Sequence, residues 1–310
     1  MKSPALLIIN LILVGIITNA CNGPTEQAEE IDLSNTISID ENTAGNQGAN
    51  TDHIYYFGFD LRSSPQEDAK QYLPFMDYLT RTTGYTFKLK LTSQNSNIID
   101  DLGTGAVQFA SIGATSYITS HQKYGTLTLA RGKNQQDKAE YRSALVTLPV
   151  SPITRLKDIK QKRLAFGSNS STQGHLIPRI ILQQNNIQLS ELQEYTYTGS
   201  HLNCANAVIF NHADICGMQD TMADSLQAQG KLKILTYSDY YPSSGIAANK
   251  NVNAKVIEKV TRALLAFDPI TRHSAGLHNW QLTEMPHGFS PSSDSDYKSL
   301  RDWMMKLDVN

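Results

Sequence analysis

One unit recurs along this chain: a short apolar run, a turn of small neutral polar residues, then a helix-forming segment. Its clearest copy is Phe166–Arg179, where Arg163-Leu-Ala-Phe166 reads as a buried strand and Leu176–Leu182 as a helix. Between them, Gly167 to Gln173 carries no charge. Hydroxyl and amide side chains in such a turn cap the helix N-terminus. The first N–H groups of a helix lack intrahelical acceptors and lie at the positive end of its dipole, so the turn is a seat for an anion. For a single copy, a cap that binds nothing is the simpler reading. Repetition is what favours a ligand.

The unit does repeat. His53–Phe59 reads as a strand with Asp60–Pro65 as its exit loop, and Pro74–Thr83 as a helix that Gly84 terminates. Strand Thr86–Thr92 leads through the turn Gln94–Asn97 to a helix at Ile98–Leu102. Strand Val107–Ile112 leads through Gly113-Ala-Thr-Ser116 to a helix opening at Tyr117, and Leu127–Ala130 is a further strand. After the β-prone run Arg142–Val150 and a link at Leu156–Ile159, a second series begins with Arg163–Phe166. It continues with strand Gln193–Tyr197, turn Thr198–His201, helix Asn203–Phe210 and strands Ala213–Gly217 and Leu232–Tyr237. Ile246–Ala248 is placed to return to the first series, followed by the helices Val252–Phe267 and Tyr297–Met305.

This alternation predicts an α/β fold with largely parallel sheets. The expected architecture is two lobes, 52–145 with 245–310 and 146–244, joined by two crossings that act as a hinge. Ligands in such sheets gather at the carboxyl ends of strands. The polar turns after Thr92, Ile112, Phe166 and Tyr197 should therefore face one cleft. None of them carries Lys or Arg, so an anion there would be held by backbone N–H groups and neutral hydroxyls.

At 310 residues there is room for both lobes, and 27 basic against 29 acidic residues leave no field for nucleic acid. The N-terminus does not fit the α/β pattern. Ala5–Ile17 is apolar except for Asn10 and leads through Thr18-Asn19-Ala20 to Cys21, which reads as a secretion signal over 1–20. Cysteine at the cleavage point resembles a bacterial lipobox, implying a lipid on Cys21 and an extracytoplasmic protein held at a membrane. Residues 21–51 are acidic, without a basic or aromatic residue, and read as a solvated tether. In an oxidising compartment Cys204 and Cys216 could form one disulfide; two buried thiols are the alternative.

Several pieces together resemble the phosphate/phosphite/phosphonate-binding proteins of ABC transporters, from about Tyr56 to Met305. They are Ser111-Ile-Gly-Ala-Thr-Ser-Tyr117, Tyr141-Arg-Ser143, Leu156-Lys-Asp158, Lys162-Arg-Leu-Ala-Phe-Gly167, Ser171-Thr-Gln-Gly174 with Pro178, and Tyr197-Thr-Gly-Ser-His201. The resemblance implies a type II periplasmic-binding-protein fold, no enzymatic activity and no cofactor. It also implies a small oxyanion ligand, a membrane permease as partner and a monomer. It places the anion cradle on Ser171, Thr172 and Gln173, the cleft histidine on His201, and the first-lobe loop on Ser116 and Tyr117. Asn95, where the family commonly has tyrosine, and Arg62 are further candidates. The two acidic residues that family members use for an aminoalkyl ammonium fall on Thr221 and Ser244, with Asp220 one residue away. A buried ammonium without a carboxylate is costly, which argues against aminoalkyl phosphonates.

Three other functions compete with this one. Tyr240-Tyr241 with His201 or Asp220 could hold ferric iron. A hydrolase is disfavoured because Gly-x-Ser-x-Gly, His-Glu-x-x-His and Cys-x-x-Cys are absent. A lipid-anchored sensor that passes the anion signal to a receptor would look the same in sequence.

Overall fold

The computed structural model describes residues 54–62, 64–93 and 96–309. The signal, Cys21, the tether and Asn95 lie outside the described residues. The first part of the chain forms β1 (Ile54–Phe59), α1 (Pro65–Thr83), β2 (Thr86–Leu89), α2 (Ile98–Thr104), β3 (Phe109–Ile112), α3 (Ala114–Tyr124) and β4 (Leu127–Gly132). Next come β5 (Glu140–Tyr141), β6 (Ser143–Thr147), β7 (Arg163–Phe166), α4 (Ile177–Gln184), β8 (Glu194–Tyr197), α5 (His201–Ile209), β9 (Ile215–Gln219), α6 (Asp220–Ala228) and β10 (Lys233–Tyr237). The chain ends with β11 (Tyr241–Pro242), β12 (Gly245–Ala248), α7 (Ala254–Ala266), β13 (Phe289–Pro291) and α8 (Lys298–Leu307).

Two mixed sheets result. The first has the order β13-β4-β12-β3-β1-β2, and the second β10-β6-β9-β7-β8. β2, β1 and β3 run parallel, as do β8, β7 and β9. β12 runs antiparallel between β3 and β4, and β6 runs antiparallel between β9 and β10. The chain leaves the first sheet after β4 and returns to it at β12. On the way, β5 and β11 pair as an antiparallel ribbon with Tyr141 opposite Tyr241.

Each sheet is buried on both faces. Phe57, Phe75, Leu79, Phe109, Leu264 and Phe267 pack on one face of the first sheet, beneath α1 and α7. Its other face packs Ile112, Ile118, Leu300 and Met304 together with Leu176, Ile177 and Ile180 from the start of α4. That cluster fixes the Ser171–Leu176 turn against first-sheet elements. In the second sheet, Cys204 of α5 and Cys216 of β9 are joined as a disulfide.

α1 begins nine residues earlier than the sequence predicts, at Pro65 rather than Pro74. The Ser64 hydroxyl accepts from the Glu67 N–H, and Pro65 occupies the first turn, where its missing N–H costs nothing. Pro74 then sits inside the helix. An interior proline loses one backbone bond, and the burial of Tyr72, Phe75, Met76, Tyr78 and Leu79 on that helix offsets it. α6 and β13 are also absent from the sequence reading.

Candidate functional site

A small polar cavity of about 30 Å³ lies where the ends of both sheets meet. That is room on the scale of about two or three water molecules. Its wall on the second-sheet side begins with Ser171, whose hydroxyl accepts from the Gly174 N–H at 2.9 Å. A wide turn over Thr172–Leu176 then runs directly into α4. The N–H groups of Thr172 and Gln173, first in that turn, have no acceptor within the helix. The turn is tight against α5: a Cβ on Gly174 would come within 2.8 Å of Ser171 Oγ and 3.1 Å of His201 Cε1, so only glycine fits.

Thr172 reaches across to the first sheet. Its hydroxyl accepts from the Thr115 N–H at 2.8 Å and donates to Thr115 Oγ1 at 3.0 Å. One residue of the second sheet's turn thus caps the start of α3. The Gln173 amide donates to the Arg142 carbonyl at 2.9 Å, while its Oε1 is buried without a partner among the described residues.

On the first-sheet side the wall is charged; the sequence reading named Arg62 there but neither Asp60 nor Glu284. Asp60 follows β1, and its backbone N–H bonds to the Ser111 carbonyl, which sets it beside the start of α3. Its Oδ2 accepts from the Gly113 N–H at 2.8 Å, and Oδ1 faces Ser116 Oγ at 3.4 Å. Burial pushes the Asp60 carboxyl above its ordinary value, opposed by the Gly113 N–H and by Arg62. The Arg62 guanidinium pairs with Glu284 at 2.9 Å, and their side chains are only 12% and 8% exposed. Arg62 also donates to the Tyr72 hydroxyl at 2.9 Å. Glu284 arrives from the segment before β13, more than two hundred residues away along the chain.

Three buried polar atoms of residues that line the cavity have no hydrogen-bond partner among the described residues: Gln173 Oε1, His201 Nδ1 and the Tyr141 hydroxyl. Burial holds the His201 imidazole down at about 4, with Glu284 and Arg62 acting in opposite senses, so it is neutral near pH 7. Burial likewise raises the Tyr141 hydroxyl, which stays protonated and able to donate. It lies near the hydroxyls of Thr172 and Ser244 without meeting ordinary hydrogen-bond geometry.

A second cavity, of about 110 Å³, shares Tyr141, Gln173 and Glu284 with the first. It contains Thr221 and Asp220. Burial raises the Asp220 carboxyl to about 6, with Arg142 opposing. Its oxygens lie 3.4 Å from Arg142 Nε and 3.5 Å from Gln173 Nε2. Ser244, the other position where the family has an acid, lines the first cavity.

Of the residues singled out from sequence, Arg62, Ser171, Thr172, Gln173 and His201 converge on the cavity. Ser116 reaches it only through Asp60. Tyr117 does not reach it: successive helical residues point about 100° apart, so it cannot share the direction of Ser116. Its ring packs on Tyr297 and its hydroxyl donates to Asp294 at 3.1 Å. Tyr240 is exposed beside Arg142 while Tyr241 is buried in the ribbon, so the pair does not converge. No cluster of three or more His, Cys, Asp or Glu suited to a metal is found among the described residues. Sequence reasoning did not single out Asp60, Tyr141, Ser168 or Glu284 as binding residues, although Tyr141 and Ser168 stood in quoted stretches; Ser244 was named only as a position where the family has an acid.

The sequence profile of the family described as "ABC transporter, phosphonate, periplasmic substrate-binding protein" matches residues 57–297. The phosphate-import protein PhnD of Mycolicibacterium smegmatis is 23% identical over 267 residues, which cover 78% of this chain and 83% of that protein. Among solved structures, PhnD1 of Prochlorococcus marinus in complex with methylphosphonate superposes with a TM-score of 0.72 at 17% identity, covering 83% of this chain and 99% of that one. The binding-protein component of an ABC phosphonate transporter of Pseudomonas aeruginosa gives 0.71 at 19% identity, covering 82% and 86%. The shared fold is that of the type II periplasmic binding proteins, two mixed sheets flanked by helices.

Proposed function

This chain belongs to the family of phosphonate-binding periplasmic substrate-binding proteins of ABC transporters, and on that premise we propose that it holds a small phosphorus oxyanion in the cavity between its sheets. Members of that family are not enzymes; they act outside the cytoplasm and serve a membrane permease. The observation that carries the reading is that two of the buried, unpartnered polar atoms, His201 Nδ1 and the Tyr141 hydroxyl, can act as donors and belong to residues lining one small cavity. A buried polar group without a partner costs about 1–3 kcal/mol, and a tetrahedral anion removes that cost. The N–H groups of Thr172 and Gln173 and the hydroxyls of Ser168 and Ser171 add donors. Phosphate, phosphite and a small alkylphosphonate fit this set.

In this reading each sheet with its helices is one lobe and the β5–β11 ribbon is the hinge, so the first crossing lies before β6 and not at 145, because Ser143–Thr147 belongs to the second sheet. The anion docks on the Ser171–Gln173 turn, the lobes close, and the excluded water strengthens each contact. A lipid on Cys21 holds the protein at the membrane, residues 21–51 give it reach, and it works as a monomer.

Calorimetric titration of residues 51–310 with inorganic phosphate, phosphite and methylphosphonate tests the proposal. One saturable site for at least one of them is expected, and silence from all three overturns it. Thr172→Ala should weaken that binding by about 1–3 kcal/mol, since it removes a buried hydroxyl bonded across both sheets. Unchanged affinity would place the cradle elsewhere. 2-Aminoethylphosphonate should bind more weakly than methylphosphonate. Asp220, the carboxylate beside the lost acidic position, already faces Arg142, and an ammonium would have to displace that partner. Tighter binding of the amino compound in the same titration would reverse this assignment.

A further inference from the structure

The second cavity, of about 110 Å³, shares a wall with the first: Tyr141, Gln173 and Glu284 line both. Four carboxylates also line it, and each already has a partner. Glu140 pairs with Lys138 and Glu284 with Arg62. Asp224 accepts from the Tyr237 hydroxyl, and Asp220 accepts from the Thr221 N–H beside Arg142. The buried polar atoms that lack a hydrogen-bond partner among the described residues are of another kind. Residues lining this cavity supply three of them: Gln173 Oε1, Arg142 Nε and the Tyr141 hydroxyl. The sense of the Gln173 amide is set by its Nε2, which donates to the Arg142 carbonyl at 2.9 Å, so the oxygen is the end left over. Arg142 Nε lies 3.4 Å from an Asp220 oxygen, outside hydrogen-bond geometry, while the guanidinium carbon sits 3.7 Å from the centre of the Tyr237 ring.

With the Tyr141 hydroxyl given to the anion, one acceptor and one donor remain, Gln173 Oε1 and Arg142 Nε. A hydroxyl serves both at once, because it donates one proton and accepts in return. An ammonium serves only the acceptor and sets its charge against Arg142. A carboxylate serves only the donor and enters a wall that already holds four carboxylates. An alkyl group serves neither, and a buried polar group without a partner is costly. We propose that the second cavity is a subsite for the organic substituent on phosphorus, and that it selects a neutral, hydroxyl-bearing chain over alkyl, aminoalkyl and carboxyalkyl chains. The proposal rests on the oxyanion reading above and narrows it. The phosphorus group fills the first cavity, the chain passes Gln173, and the hydroxyl lies between Gln173 Oε1 and Arg142 Nε. The selecting atoms are not at Thr221 and Ser244, the positions where family members hold an ammonium group. Gln173 then has two tasks, its backbone N–H on the anion and its side chain on the substituent.

The test is calorimetry on the full chain. The probes are inorganic phosphate, methylphosphonate, ethylphosphonate, hydroxymethylphosphonate, 2-hydroxyethylphosphonate, 2-aminoethylphosphonate and phosphonoacetate. At least one hydroxyl compound should bind about tenfold to a hundredfold more tightly than the alkylphosphonate of the same chain length, the scale of one hydrogen bond to a charged group. The ammonium and carboxylate compounds should gain nothing over ethylphosphonate. In Gln173→Leu, which keeps the backbone N–H and removes the side-chain oxygen, the hydroxyl preference should vanish, whatever happens to overall affinity. Equal binding of hydroxyl and alkyl compounds, or tightest binding of the ammonium or carboxylate compound, overturns the subsite. A preference that persists in Gln173→Leu overturns it equally. If Gln173→Leu does not fold, the wild-type series decides the question. Failure of every probe, phosphate and methylphosphonate included, overturns the oxyanion reading itself, whereas binding of those two with no gain from a hydroxyl overturns the subsite alone.

Discussion

Replacing Glu284 with Ala should destabilise the folded protein by about 3–5 kcal/mol, the cost of stranding one member of a buried ion pair. Arg62 is the stranded partner, and its side chain is 12% exposed. The guanidinium cannot escape the cost by losing its proton. Urea unfolding followed by circular dichroism measures the loss directly. A loss below about 1 kcal/mol, the scale of an exposed pair, would mean that Arg62 finds a substitute carboxylate or water. The pair matters beyond stability because it holds Arg62 in the wall of the cavity. Removal of Glu284 should therefore also shift the preference among anions.

The second large effect is in acid. The His201 imidazole titrates at about 4 in the folded protein because burial disfavours its cation. Its ordinary value, and that of the unfolded chain, is about 6.5. Below that pH the unfolded state binds more protons than the folded one. The contribution of neutral His201 is fully present above about pH 6.5 and is lost as pH falls toward about 4, with a limiting slope near 1.4 kcal/mol per pH unit. Asp220, raised to about 6, titrates in the opposite sense over part of this range, so the wild-type curve alone mixes the two. Comparison with His201→Gln isolates the histidine. Relative to that variant, wild type should lose about 2 kcal/mol between pH 6.5 and 4.5. Parallel stability curves for the two proteins would show that the imidazole is hydrated and not buried.

What the sequence revealed and what it hid follow from how each site residue is positioned. Ser171, Thr172 and His201 were legible because a strand, a neutral turn and a helix start are contiguous in the chain, and the turn carries its own chemistry. Asp60 was passed over because it sits in a strand exit that looks like any other. Its importance comes from the parallel pairing of β1 with β3, which brings it to Gly113. Glu284 lies in a segment with no periodic pattern, and only tertiary contact pairs it with Arg62. Tyr117 shows the opposite failure: it stands in a quoted motif beside Ser116, but a helix turns neighbouring side chains away from each other. The early start of α1 was hidden by Pro74, which looks like a helix start and is carried instead by the burial around it.

The two passages of chain between the sheets are bonded to each other, residue against residue, at Tyr141 and Tyr241. Two separate cords would let the halves twist, slide or swing; a single two-stranded leaf mainly bends. Tyr141 belongs to that leaf and also forms part of the chamber wall. If the chain closes about this ribbon as proposed, whatever fills the chamber would press on the axle as well as on the jaws, and an occupant of the wrong size would be felt at the pivot before the halves could meet.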